Sequence, residues 1–343
     1  MAAMSWHFSP ETGSRFWLDR ASSLGFDPLR DVRTHGDLAR FPNLVNELRD
    51  APIRDLVPRG YGDRPDVLGA FDSGGTTGAP KRVVLMQDWL ERSLAWKSAR
   101  MDDLGFPRDA NWLTVAPSGP HIFGRLMAEL PRMRGGVAFT VDLDPRWVRK
   151  CIAEGRGAEA DRYAEHVVDQ VESVLDGQEV GVLVVTPPLL ERMSERGRLA
   201  KLINEKVHTI MWGGAHMDAD TRYLMRQEVF PDVALRGQYG STMILGGSME
   251  RVSSTDDRSC VFDSFSPYTT FAVVDPDTHE EVREGERGQV VMHHVSRSML
   301  LPNNLERDVA TRVAAPPGAL GVSVADVAPV ATFENTSVIE GVY

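Results

Sequence analysis

The chain has 343 residues, enough to bury one large core or two adjoining ones, and its 42% hydrophobic and 25% charged content is that of a folded soluble protein rather than a disordered one. A formal charge of −11 excludes a concentrated basic face for nucleic acid, while a local basic site remains compatible with it. Cys151 and Cys260 lie far apart without metal spacing, the N-terminus lacks a secretory pattern and no window reaches a membrane span, so a disulfide framework, a zinc site and a membrane partner are not indicated and a cytoplasmic setting is expected.

Residues 5–60 read as short helical stretches broken by Pro10, Pro28, Pro42, Pro52 and Pro58, with Trp17, Leu18, Leu44, Val45 and Leu48 as packing contacts. Residues 71–81 then read F-D-S-G-G-T-T-G-A-P-K, with Gly74, Gly75 and Gly78 among the hydroxyls Ser73, Thr76 and Thr77, and with Lys81 at the end. Glycine lets main-chain N–H groups approach a ligand, hydroxyls add hydrogen bonds and lysine adds a point charge, a combination suited to a polyphosphate. It is not a Walker A loop, because Ala79 and Pro80 separate Gly78 from Lys81. An ordinary Gly/Thr surface loop has the same composition, so the context must decide.

After this loop an apolar run from Val83 predicts a strand, and Trp89, Leu90, Leu94 and Trp96 predict a helix. Strands are expected at 112–116, at V-A-F-T-V after Gly135 and Gly136, at 180–185, 207–212 and 233–238. Helices are expected from the S-G-P-H-I-F-G loop onward, at 158–175, after Pro187 and Pro188, and at 218–229. Such alternation predicts an α/β fold with helix-covered, mostly parallel sheets. Ligands bind outside the carboxyl ends of parallel strands, so loops 118–121, 213–216 and 239–243 are expected on one face. From about Ser254 the strands shorten and turns appear, as at 275–278, predicting a β-rich, barrel-like subdomain. The expected division is therefore 1–253, an α/β nucleotide- and acyl-binding region, and 254–343, the β-rich subdomain.

The run S-G-G-T-T-G-A-P-K resembles the S-S-G-T-T-G-x-P-K signature of the adenylate-forming superfamily, which includes acyl-CoA ligases, peptide-synthetase adenylation domains and luciferases; Gly74 stands where the family has serine. The phrases F-D-P, D-L-A-R-F-P and D-L-V-P-R-G are similar to the lead-in of its phenylacetate-CoA ligase branch. The resemblance implies that Ser73, Gly74, Gly75, Thr76, Thr77, Gly78 and Lys81 close over the β- and γ-phosphates of ATP.

H-I-F-G at 121–124 is similar to the motif that places His121 in the acyl pocket, although a lone histidine is more often structural. W-G-G-A at 212–215 resembles the turn bordering adenine and acyl group, implicating Trp212, Gly213, Gly214 and Ala215; a glycine pair that merely relieves a strand-to-helix turn would look alike. Q-Y-G-S-T-M at 238–243 looks like the family's Y-G-x-T-E, implying Gln238, Tyr239, Gly240 and Ser241 around adenine, Thr242 at the α-phosphate, and Met243 in the acyl pocket. Met243 replaces the glutamate that helps hold Mg2+ in the family, and a thioether is a poor ligand for a hard cation. Glu250 is nearby in sequence as a substitute, with nothing to position it. N-L-E-R-D at 304–308 corresponds to the ribose-binding aspartate motif, with Asp308 as candidate and Glu306 as competitor; a solvated charge cluster is the bland alternative.

Family members continue into a small mobile domain that supplies a catalytic lysine, and this chain ends at V-I-E-G-V-Y near where that hinge would begin. The expectation is thus a truncated member lacking that domain, similar to an atypical superfamily member from phenazine antibiotic biosynthesis. The resemblance implies ATP-dependent activation of an aromatic or heteroaromatic carboxylic acid as its acyl-adenylate, slow or dependent on a partner. A separate C-terminal-domain, carrier or transferase protein would be that partner, and a homodimer is admissible. Two other readings stand beside it: a non-catalytic nucleotide- or acyl-binding carrier, and the large half of a split acyl-CoA ligase.

Overall fold

The structure is a computed structural model that describes residues 2–73, 80–252, 259–330, 332–333 and 336–337. Two compact units emerge, interleaved in sequence: unit 1 takes residues 1–93, 240–248 and 263–334, and unit 2 takes 94–239, 249–262 and 335–343. A division at residue 254 follows the change in local strand pattern, whereas these units follow contacts in space.

Unit 1 begins with short helices, α1 (Ala2–Phe8), α2 (Arg15–Arg20), α3 (Pro28–Asp31) and α4 (Ile53–Leu56). Ser14 caps α2 by accepting from the Trp17 amide, and Asp27 caps α3 ahead of Pro28, which needs no amide partner at that position. Helices this short are not stable alone, so ring packing must hold them. Phe8, Trp17 and Phe41 meet pairwise with centroids 5.5 to 6.1 Å apart, and Val45 and Leu48 are buried while Leu18 and Leu44 are partly covered. Strands β1 (Val67–Asp72) and β2 (Arg82–Met86) then pair antiparallel with Asp72 opposite Arg82, and β2 runs directly into α5 (Gln87–Asp103).

Unit 2 alternates strand and helix as the apolar pattern requires: β3 (Trp112–Ala116), α6 (Ile122–Met133), β4 (Ala138–Asp142), α7 (Pro145–Ala153), α8 (Gly157–Gly177), β5 (Val182–Val185), α9 (Pro187–Glu195), α10 (Gly197–Lys206), β6 (Thr209–Gly213), α11 (Ala219–Leu224) and β7 (Ala234–Ser241). The strands lie in the order β4-β3-β5-β6-β7, every neighbouring pair parallel. Every residue of β3, β5 and β6 is buried, as expected of continuous apolar runs covered on both faces. The helix expected over 218–229 is α11 followed by one wider π-type turn, Met225–Val229. Two short strands follow, β8 (Gly246–Glu250) and β9 (Val261–Asp263), each divided between the units.

The remaining strands return to unit 1 as an antiparallel meander: β10 (Thr269–Val274), β11 (Arg287–Val295), β12 (Leu300–Val313) and β13 (Ser323–Pro329). The expected turn after β10 forms because the Asp275 carboxylate accepts from the amides of Asp277 and Thr278, both at 2.9 Å. On β12 the register slips: Gln289 faces Val309 but Val291 faces Leu305, so β12 carries two extra residues within 306–308. Among the described residues no helix is long and apolar enough to cross a membrane.

Candidate active site

In unit 2, β3, β5, β6 and β7 are parallel, so the loops that follow them leave from one edge of the sheet. The chain leaves β3 toward β4 on one side, while β5 leads to β6 on the other, and such a reversal opens a crevice at the strands' carboxyl ends. Residues 117–121 and buried Thr186 border it. The loop is set by Asp142 at the end of β4, whose Oδ1 accepts from the Ser118 amide at 3.0 Å and its hydroxyl at 2.9 Å. At Gly124 in α6 a Cβ would lie 2.3 Å from the Pro117 carbonyl oxygen, so the helix rests on this loop and only glycine fits. His121 sits at the α6 N-cap in extended conformation, half-buried, at the end of the loop that follows β3.

At the next edge loop, a Cβ on Gly213 would approach the Gln238 carbonyl oxygen to 2.7 Å, and Gly214 takes φ +82°. These two glycines therefore seat β6 against β7 and turn the chain into Ala215 and His216. Trp212 is 95% covered, its ring edge-on to Phe262 at 6.2 Å, and its indole N–H has no hydrogen-bond partner among the described residues. Tyr239, half-buried, reaches the same Phe262 at 5.8 Å, so sequence positions predicted to line an acyl group and adenine share one ring.

The other candidates belong to unit 1. Ser73 and Lys81 close the β1–β2 hairpin, the Ser73 amide donating to the Lys81 carbonyl at 2.9 Å and the Lys81 amide to the Ser73 hydroxyl at 3.0 Å. Gly74, Gly75, Thr76, Thr77 and Gly78 lie outside the described residues. At Gly240 a Cβ would come within 2.4 Å of both the Gly246 carbonyl oxygen and Gly247 Cα, a close backbone approach that admits glycine alone. Ser241 then caps a short turn, Thr242–Ile244, by accepting from the Met243 amide at 3.2 Å; Thr242 is half-buried and Met243 buried. Asp308 is half-buried on the β12 bulge. Glu306 on the same bulge accepts from Asn304 at 2.6 Å, and its carbonyl accepts from the Gln289 amide group at 2.7 Å.

Glu250 is not available to hold magnesium. It is 5% exposed, one carboxylate oxygen is paired with the buried Arg222 guanidinium, and the other accepts from the Gly237 amide at 2.7 Å. With one oxygen in a buried ion pair and the other on a backbone amide, this carboxylate holds β7 and α11 together instead. Among the described residues no group of three or more His, Cys, Asp or Glu could hold a metal ion, and Met243 offers sulfur where magnesium takes oxygen.

One neighbour of the candidate residues escaped sequence reasoning. Lys97 on α5 is fully buried and its ammonium donates to the Gln238 side-chain oxygen at 3.3 Å. Burial pushes its pKa down to about 8. The signal was present: Leu90, Leu94, Lys97 and Met101 fall at helical spacing on one face, a lysine within an apolar stripe.

No protein-family model and no curated protein matches this sequence. Solved structures do. An open conformation of 2-hydroxyisobutyryl-CoA ligase in complex with 2-HIB-AMP and CoA superposes with a TM-score of 0.61 at 15% identity, over 93% of this chain and 71% of that one. The same ligase in its thioesterification state gives 0.58 at 17% identity, over 94% and 63%. ATP-bound MatB from Rhodopseudomonas palustris gives 0.50 at 20% identity, over 77% and 49%. The chain thus spans from about half to seven tenths of the length of these structures. At such identities the likeness is one of fold: a helix-covered, largely parallel sheet with antiparallel strands toward the C-terminus, shared with acyl-CoA ligases.

Proposed function

We propose that this protein binds ATP and a carboxylic acid, aromatic or heteroaromatic, and joins them as an acyl-adenylate in secondary metabolism within the cytoplasm. A carboxylate oxygen would attack the α-phosphorus in line, a P–O bond to the β-phosphate would break and pyrophosphate would leave. Such a step asks the protein chiefly for alignment and charge neutralisation. Residues 73–78 and Lys81 would hold the β- and γ-phosphates, Thr242 the α-phosphate, Asp308 the ribose, and Gly213–Ala215 with Gln238–Ser241 the adenine. His121, Trp212 and Met243 would shape the acyl pocket. In this reading residues 1–253 carry the phosphate, adenine and acyl contacts, and 254–343 form the β-rich part that adds Asp308 at the ribose.

The observation that carries the reading is the meeting of an adenylate-forming phosphate-loop sequence, closed by Ser73 and Lys81 at the mouth of a hairpin, with a fold shared with acyl-CoA ligases. The test is carboxylate-dependent ATP–pyrophosphate exchange across a panel of aromatic acids. Exchange is expected with at least one acid and should fall at least about 100-fold in Lys81→Ala, the usual scale for removing a charge-stabilising group, and should also fall in Asp308→Ala through the lost ribose contact. A second reading, a nucleotide- or acyl-binding protein without adenylation, is favoured by Met243 and by the engagement of Glu250. ATP binding with no exchange for any acid would select it.

A further inference from the structure

We infer that His294 and Trp89 are positioning residues for the Thr242 turn, holding two successive carbonyls of that turn so that the Thr242 hydroxyl is presented in one fixed place. The inference rests on the reading of Thr242 as a nucleotide contact.

The turn needs outside support. Its hydrogen bond runs from the Leu245 amide to the Thr242 carbonyl, at 3.0 Å, and Leu245 leaves the turn with φ +48° and ψ 36°. Left-handed backbone is unfavourable for a branched side chain that is not glycine, asparagine or aspartate, so surrounding contacts must over-determine it. Those contacts are two buried ring donors. Nδ1 of His294 donates to the Ile244 carbonyl at 2.6 Å, and Nε1 of Trp89 donates to the Leu245 carbonyl at 2.8 Å. The two rings lie against each other with centroids 4.2 Å apart.

Every other atom of the arrangement agrees with one proton placement. The Ile244 carbonyl can only accept, so Nδ1 of His294 carries the hydrogen and Nε2 accepts from the Ser296 hydroxyl at 2.7 Å. Ser296 Oγ in turn lies 2.9 Å from Ser298 Oγ and accepts from the Met299 amide at 3.2 Å. Burial holds the imidazole pKa down to about 4, which keeps the ring neutral and this tautomer in place at ordinary pH. A serine beside a histidine suggests a nucleophile and its base, but His294 is 0%, Ser296 7% and Ser298 5% exposed, so no substrate reaches them. The chain of hydrogen bonds ends at the Thr242 turn, and positioning is the role its geometry permits.

The experiment measures ATP and AMP binding by calorimetry and amide hydrogen exchange over residues 240–247 in the full chain and in His294→Phe, His294→Asn and His294→Gln. Asparagine places an amide N–H near the Nδ1 position and keeps the donor to Ile244; glutamine places its amide near Nε2 and does not. His294→Phe and His294→Gln are expected to weaken ATP binding about tenfold or more and to speed exchange of the Leu245 amide, whereas His294→Asn stays within about threefold of the wild type. Should His294→Phe fail to fold, the Asn and Gln pair carries the same contrast. Unchanged affinity together with unchanged exchange over 240–247 in the donor-less variants overturns the inference. If the wild-type chain binds neither nucleotide, the functional reading fails by itself. Exchange then decides alone: acceleration confined to the turn in His294→Gln but not His294→Asn upholds the positioning role, and its absence ends it.

Discussion

Lys97 shows how a single buried charge sets a measurable pH dependence. Below pH 8 the folded chain holds its ammonium away from water, beside the neutral Gln238 oxygen. The unfolded chain holds the same charge in water up to the ordinary lysine value of 10.5. The folded state therefore bears the full cost below pH 8, and stability rises with pH between the two values. Lys97→Met should raise stability at pH 7 by on the order of 1–3 kcal/mol, with the gain shrinking above pH 8 as deprotonation relieves the wild type. Thermal melts of both proteins from pH 6 to 9.5 check this, and a less stable variant at pH 7 sinks it. The helical spacing makes the lysine legible in sequence, but its partner lies 141 positions away on another element. Polar contacts of that span have no local signature, which is also why the bond from His294 to Ile244 could not be read from the sequence.

Among elements, the seam between β6 and β7 is tightly constrained at two glycines. Gly213 leaves no room for a methyl group against the Gln238 carbonyl, and Gly237 leaves little against Trp212, Cys260 and Phe262, at 2.9 to 3.0 Å. Gly213→Ala should therefore spread the paired strands and destabilise the chain by roughly 2 kcal/mol or more. Gly25→Ala, whose added methyl would meet nothing within 4 Å, should cost only its left-handed φ of +76°, roughly 1 kcal/mol. Denaturant titration of the two variants separates crowding from backbone strain, and equal losses would contradict the assignment. The strands and their order of alternation were legible because buried parallel strands are continuous apolar runs, as β3 and β5 are. The bulge at 306–308 was not, because N-L-E-R-D reads as ordinary strand alternation and only the partner register on β11 reveals the two extra residues. The glycine pair at 213 and 214 is open in sequence to either a turn or a ligand border, and the seam with β7 supplies a physical requirement for Gly213.

Across the whole molecule the buried histidines of the described residues are unevenly placed. His7, His293 and His294 all belong to unit 1, and burial pushes them down to about 4, about 3 and about 4. His35, 5.5 Å from His293, is lowered as well, again by burial. A folded-state value below the unfolded 6.5 means that the unfolded chain takes up protons first, so stability is complete above pH 6.5 and is lost as pH falls toward 4. Each fully buried ring can contribute on the order of 2–3 kcal/mol to that loss. Hydrogen exchange at pH 7 and pH 4.5 should show unit 1 segments, α1 and β11 among them, losing protection ahead of the parallel strands of unit 2. Uniform loss across both units would contradict it.

The interleaving of the two units bears on how the protein can be taken apart. Each is stitched from three separate stretches of chain, with exchanges near residues 93, 239, 248, 262 and 334. No single cut, by protease or by gene truncation, liberates either unit intact, and a cut between residues 94 and 329 leaves each fragment with only part of at least one unit. Splitting at the loop between α10 and β6, for instance, should give two pieces that regain structure only when mixed, which makes complementation between fragments, rather than excision of a domain, the practical route to dissecting this protein.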